Sequence, residues 1–215
     1  MSHTQPHQPI RLYRHPLSGH AHRAELFLSL LELPFERVDV DLAASAHKQP
    51  EFLSINPFGQ LPAINDAGVI VSDSNAILVY LATKYADPSW LPRDPEGAAA
   101  VQRWLSVAAG QIAYGPAAAR LVNVFGAKLD HERAKTIAHN LFKLLDAHLE
   151  GRQFLVGGNP TIADVAGYSY TAHAPEGDVS LQPYPHIQAW LRRIEQLAGF
   201  VPMTKTPKNG EETRW

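Results

Sequence analysis

The chain contains no cysteine among its 215 residues. Disulfide staples, thiolate zinc sites, iron–sulfur clusters and cysteine nucleophiles are therefore excluded, and any thiol chemistry must use a thiol carried in by a ligand. Nowhere does the sequence reach the roughly 18 consecutive apolar residues needed to span a bilayer. Neither sign of charge dominates: 19 Lys plus Arg stand against 21 Asp plus Glu, a formal net charge of −2. Without a basic block there is no electrostatic footprint for nucleic acid or an anionic membrane. The opening stretch, MSHTQPHQP, has neither the basic region nor the apolar core of a secretory signal. It reads as a disordered lead-in to a soluble, cytoplasmic protein.

What is present is enough apolar sequence, 45% of residues, for one large domain or two small ones. Ile10–Tyr13 alternates as a short strand. Ala24, Phe27, Leu28 and Leu31 then fall at i, i+3, i+4, i+7, the buried stripe of a helix that Pro34 should stop. From Phe35 to Leu42, Val38, Val40 and Leu42 alternate with charged residues, a period-two strand. Strand, helix and strand in this order predict a βαβ unit with parallel strands. Pro50 to Ile55 fits a short helix, and Asn56-Pro57-Phe58-Gly59 a turn. Leu61–Ile64 and Val69–Val71 read as an antiparallel hairpin, followed by a helix from Ser74.

Three prolines between Ala86 and Pro95 mark the domain boundary, and beyond them no strand pattern occurs. Helices are predicted from about Glu96 to Phe125, Asp130 to Glu150, Thr161 to about Tyr170, and Pro185 to Leu197. The expected fold is an α/β N-terminal domain of order βαβ–α–ββα over residues 10–85, then an all-helical domain over 94–200. The polar tail from Lys205 to Arg214 should fray, with Trp215 a possible anchor.

Four features can carry chemistry. The loop Arg14 to Arg23 puts Ser18 at the mouth of a helix, where free N–H groups and the macrodipole favour an anion. Ser18 could donate to a thiolate or oxyanion there, or simply cap the helix. Pro62 opens a strand. If cis, it would leave the backbone of Leu61 able to pair with an extended peptide ligand; a trans proline at a strand start is the commoner case. At the start of the next helix, Ser74 can cap or hold a ligand carboxylate, with Asp73 free to meet an ammonium. Thr161-Ile162-Ala163-Asp164 forms a capping box and is assigned to folding. His15, His20 and His22 lack the carboxylates and the ligand number of a metal site, so none is expected.

In this order and at these spacings the motifs resemble the glutathione transferase superfamily, over about residues 10 to 200. The residues concerned are Leu12-Tyr13 with Ser18 five on, Asn56 through Ile64, Asp73-Ser74 with Ala76-Ile77 and Tyr80-Leu81, and Thr161 to Asp164. The resemblance is to bacterial serine-type, theta-like members, and implies a thioredoxin-like first domain. It implies a detoxifying enzyme with glutathione as co-substrate and no metal, a homodimer acting on a small apolar electrophile. A glutathione-dependent isomerase or dehalogenase, or a non-catalytic protein-binding member, are the alternatives.

By resemblance, Ser18 donates a hydrogen bond to glutathione's sulfur and favours the thiolate, with Tyr13 a lesser candidate. His20 departs from the asparagine of many bacterial relatives and is expected either to assist as a second donor, more strongly if charged, or to displace Ser18. Leu61 and a cis Pro62 take the cysteinyl backbone, Asp73 and Ser74 grip the γ-glutamyl end, and His47, Lys48 and Gln60 fall at the glycyl end. The second substrate should lie against the helix from Gln102 to Phe125, with Trp104, Tyr114 and Arg120 as lining candidates; core packing is the stronger reading for Trp104, and Tyr114 is the better candidate. Gly115-Pro116 is expected to break that helix locally and open space.

Overall fold

A computed structural model describes residues 5–206, so the terminal anchor considered for Trp215 lies outside them. Four strands, β1 (Ile10–Arg14), β2 (Phe35–Asp39), β3 (Ala63–Asp66) and β4 (Val69–Ser72), form one sheet in the order β2-β1-β3-β4. β1 runs parallel to β2, pairing Ile10 with Phe35, and antiparallel to β3, pairing Leu12 with Ile64. The expected parallel crossover and antiparallel hairpin are both present. β2 stops at Asp39, short of the expected Leu42.

Alternation along the strands divides the core. Leu12 and Ile64 face helices α1 (Gly19–Leu30) and α3 (Ser74–Tyr85), joining a cluster with Phe27, Leu28, Ile77 and Leu81. Their neighbours Tyr13 and Ala63 face the other way and pack with Val40 and with Phe52 of α2 (Pro50–Leu53).

α1 begins five residues before the apolar stripe, because Ser18 caps it: the serine Oγ accepts from the Ala21 amide at 3.2 Å. Gly19 is required at the first position, since a Cβ there would stand 2.7 Å from the Tyr170 ring. The helix ends at Leu30, and Glu32 turns the chain with φ 52°, so Pro34 follows the stop and does not make it. Nor is α1 amphipathic: His22, Arg23 and Glu25 are buried along with the apolar stripe. The reason is the second domain, whose helix α7 (Ile162–Ala172) packs against α1 and α3.

The helical domain comprises α4 (Pro95–Val107), α5 (Ala118–Phe125), α6 (His131–Leu149), α7 and α8 (Pro185–Glu195). In the helical run expected from Glu96 to Phe125, the irregularity expected at Gly115-Pro116 is present as a π-helical stretch, Ala108–Ala117, containing Pro116. Proline cannot donate to the regular ladder, and the wider turn accommodates it. Gly115 lets α6 approach closely: a Cβ there would meet the Ala138 backbone nitrogen at 2.9 Å.

α7 is held by its capping box. Asp164, fully buried, accepts from the backbone N–H of Leu155 and Thr161 and from the Trp190 indole, all within 2.9 Å. The folding role assigned to this motif stands. The chain after α8 crosses α1, where Ser29 donates to the Gly199 carbonyl at 2.6 Å. At the expected frayed tail, Thr206 is tied down, its hydroxyl donating to Glu176 at 2.6 Å.

Replacing Asp164 by Ala would strand these buried donors. At about 1–3 kcal/mol per unsatisfied group, the variant should lose at least about 3 kcal/mol in urea unfolding.

Candidate active site

A cavity of about 890 Å³ opens between the sheet's loop end and the helical domain. Ser18 and His20, Leu61 and Pro62, and Asp73 and Ser74 all line it, brought together from three separate loops. The Leu61–Pro62 peptide is cis.

Ser18 both caps α1 and faces the cavity, so the two roles are not alternatives. Its oxygen accepts from the Ala21 amide, which leaves the hydroxyl proton to be donated elsewhere. Tyr13 is absent from the cavity lining, and its ring sits edge-on to Phe52 at 6.2 Å.

His20 does not lean on Ser18. Its Nδ1 lies 3.4 Å from the Ser74 hydroxyl and its ring packs edge-on against Tyr170 at 4.9 Å. Burial, reinforced by the nearby Arg23 cation, pushes its pKa down to about 3. Burial and Arg23 thus both disfavour a charged imidazole, the stronger form of the sequence expectation.

The helix cap at the far side is also reassigned. Asp73, not Ser74, is the N-cap of α3: its Oδ1 accepts from the Asn75 and Ala76 amides at 2.9 Å. Asp73 holds φ 72°, a backbone conformation that costs a non-glycine residue about 1–3 kcal/mol. Ser74 is thereby pushed into the first helical turn, where its hydroxyl accepts from the Arg23 guanidinium at 2.8 Å.

At the opposite end His47, Lys48 and Gln60 line the same cavity. Lys48 Nζ donates to the carbonyls of Phe58 (3.2 Å) and Gly59 (2.9 Å), leaving one of an ammonium's three protons for a ligand. Gly59 has φ 58°, and a Cβ there would strike the His47 carbonyl oxygen at 2.8 Å. His47 Nδ1 is buried without a partner.

The helical wall departs most from expectation. Trp104 does not line the cavity: it is 7% exposed and packs on the His148 ring at 4.8 Å, the core position that was its stronger reading. Tyr114 is 71% exposed and also lies off the cavity. The π-helical stretch rotates the following residues, so Ala113, Ala117, Leu121 and Phe125 form the wall. Arg120 does line it, but its guanidinium is engaged. Nη1 donates to the Leu17 carbonyl at 2.8 Å and Nε to Glu176 at 2.7 Å.

Burial alone would raise the Glu176 pKa. Hydrogen bonds from His173, Thr206 and Arg120 instead hold it down at about 2. Among the described residues no group of three or more His, Asp or Glu is placed to hold a metal.

Reasoning from sequence passed over Arg23, Tyr170 and Phe125. Arg23 carried a signal, since it lies four residues before Phe27 and so borders the buried stripe. Tyr170 and Phe125 carried none, because their place at the cavity depends on how the two domains meet.

Comparison with known proteins agrees with this geometry. The family model for the glutathione S-transferase N-terminal domain matches residues 8–83, and that for the C-terminal domain matches residues 104–198. Glutathione S-transferase 3 of Zea mays is 35% identical, covering 94% of this chain and 98% of its own length. Glutathione S-transferase theta-2 of Homo sapiens is 30% identical, with 88% and 82% covered. Among solved structures, a glutathione S-transferase from Pseudomonas fluorescens superimposes with a TM-score of 0.86 at 29% identity, covering 92% of this chain and 100% of that one. The chain belongs to the glutathione S-transferase family.

The buried histidines give the protein an acid-sensitive stability. Desolvation lowers His20 to about 3 and His22 to about 4 in the folded state, against 6.5 for free imidazole. The unfolded chain therefore binds more protons below pH ~6.5, and stability falls as pH drops through that value. Between pH 7.5 and 5 each should remove up to about 2 kcal/mol in urea unfolding, and the His20 imidazole NMR signals should not shift over the same range.

Proposed function

We propose that this enzyme binds glutathione in the interdomain cavity, ionises its thiol beside Ser18, and transfers the sulfur to a small apolar electrophile. The observation that carries the reading is the donor geometry of Ser18. The Ala21 amide occupies one lone pair of its oxygen, which leaves the hydroxyl proton free to be donated to a group in the cavity that Ser18 lines. A thiolate accepting that proton, close to the positive end of α1, is favoured over the neutral thiol. Free thiols titrate near 8.5, so lowering by about 2 units makes most of the bound sulfur nucleophilic at pH 7.

The thiol proton leaves to water, since neutral His20 is too weak a base to retain it. The thiolate lone pair then forms the S–C bond. A displaced group leaves with its bonding electrons, or, in an addition, the developing carbanion takes a proton from water. Ser18 remains a hydrogen-bond donor throughout and is never covalently modified.

In this reading Leu61 pairs its main chain with the cysteinyl unit, and Asp73 and Ser74 hold the γ-glutamyl end. Lys48, with His47 and Gln60, faces the glycyl carboxylate. The electrophile lies against Leu17, Ala113, Ala117, Leu121 and Phe125, which supply the apolar wall. Residues 10–85 act as the glutathione-binding domain and 94–200 as the domain that selects the electrophile. We also read the protein as a cytoplasmic homodimer. Phe58, 79% exposed, and the outer residues Val69 and Ile70 of β4 offer apolar surface for a second copy to cover.

Titration of thiolate absorbance from bound glutathione tests the mechanism. The wild type should show a thiol pKa well below that of free glutathione. Ser18→Ala should return it toward the free value and reduce kcat/KM by about 10²-fold, the usual effect of removing one donor to a developing anion. A low pKa that survives in the variant would reject Ser18 as the donor.

A further inference from the structure

Arg23 lies at the centre of α1, is 1% exposed, and makes no ion pair among the described residues. Its Nη1 donates at 2.8 Å to two neutral acceptors, the Ser74 hydroxyl and the Asn75 side-chain carbonyl, while Nε and Nη2 are buried without partners. A buried guanidinium held only by neutral oxygens is an incomplete arrangement, because burying a charge is costly unless an anion compensates it. Burial lowers the Arg23 pKa to about 10, with Tyr170 and the charge of Asp73 only partly opposing it. Asp73 itself is exposed and spends Oδ1 on capping α3.

The two acceptors are not equivalent. Asn75 is fixed from its other end, donating to the Leu105 carbonyl at 3.0 Å. Ser74 has a proton left over. With its oxygen accepting from Arg23, and Ser74 lining the cavity, that proton is left for another acceptor. The nearest is His20 Nδ1, a long contact at 3.4 Å on a ring that burial keeps neutral.

From this geometry, and resting on the glutathione reading above, we infer that Arg23 is a positioning residue. It locks the Ser74 hydroxyl as a donor into the cavity and places a buried positive charge behind it, so that the α-carboxylate of the γ-glutamyl unit completes the arrangement as the missing anion. In the unliganded protein His20 Nδ1 holds the Ser74 proton, and the ligand carboxylate takes its place on binding. Arg23 touches no substrate atom and acts through Ser74.

The test compares two peptides by calorimetry: glutathione, and the analogue in which 4-aminobutyrate replaces the γ-glutamyl residue, so that only the α-carboxylate is missing. Wild type should bind glutathione about 10–100-fold more tightly than the analogue, as expected for a charge-assisted hydrogen bond to a buried donor. Arg23→Met fills a similar volume and removes the stranded donors, and Arg23→Gln is a second neutral variant. In either, checked for folding by circular dichroism, the ratio should shrink to about 3-fold or less, chiefly through weaker glutathione binding. A merely structural role would weaken both peptides equally and leave the ratio intact, which overturns the inference while glutathione binding itself stands. If neither neutral variant folds, Arg23→Lys decides. A single ammonium on a shorter reach should lower the ratio several-fold, and an unchanged ratio overturns the inference. A wild type that binds neither peptide, or both alike, rejects the γ-glutamyl grip and the inference with it.

Discussion

Helix α1 is enclosed on every side, by the sheet and α3 on one flank and by α7 and the C-terminal segment on the other. Most of the polar groups buried on it find partners inside the protein, from different parts of the chain, while Arg23 keeps two nitrogens unpartnered. Glu25 accepts from Arg14 of β1 at 2.6 Å and from Arg37 of β2 at 2.7 Å. His22 lies 2.9 Å from both Ser169 of α7 and the Val201 carbonyl. Arg23 reaches the start of α3. The helix that presents Ser18 is thus fixed to the sheet, to α3 and to the helical domain at once. Its N-terminus is as rigid as the core, which is what a site built on oriented hydroxyl dipoles requires.

The two serines of the cavity share one device. Each hydroxyl oxygen accepts from a donor of the protein, Ala21 N–H for Ser18 and Arg23 for Ser74, which leaves each proton for another acceptor. A hydroxyl in water donates and accepts equally well; here the protein has used the acceptor side. Both groups are thereby suited to anions, the sulfur in one case and a carboxylate in the other. A neutral His20 between the Ser74 hydroxyl and the Tyr170 ring is consistent with this division, since it can accept a proton in a hydrogen bond without adding charge.

The helical domain contributes differently. Its cavity face is largely apolar, and the one cation on it, Arg120, is committed to Glu176 and to the carbonyl preceding Ser18. The bond to the Leu17 carbonyl ties the loop carrying the hydroxyl to the wall against which the electrophile is proposed to lie. Glu176, which belongs to the helical domain like Arg120, compensates the buried guanidinium and holds it in place for that contact.

Much of this was legible in the amino-acid order. Period-two runs gave the strands and their pairing, periodic stripes gave the helices, and Thr161 to Asp164 announced a cap that the structure contains. Ser18, Leu61, Asp73 and Ser74 stand at element boundaries, where turn and cap chemistry is local, and they do converge on one cavity. Which of Asp73 and Ser74 caps and which faces the cavity was not local: Asp73 takes the cap of α3, and the Ser74 hydroxyl accepts from a guanidinium of α1, 51 positions away. The protonation of His20 followed from burial under Tyr170, contributed by the other domain. Tyr114 was misplaced because the irregularity expected at Gly115-Pro116 is a π-helical stretch that leaves this side chain exposed, while Trp104, ahead of that stretch, took the core position that was the stronger of its two readings. The sequence by itself determined the elements and the groups able to do chemistry, since both depend on near neighbours. The tertiary structure alone decided their charge, their donor direction and the cavity wall, because those depend on what long-range packing removes from water.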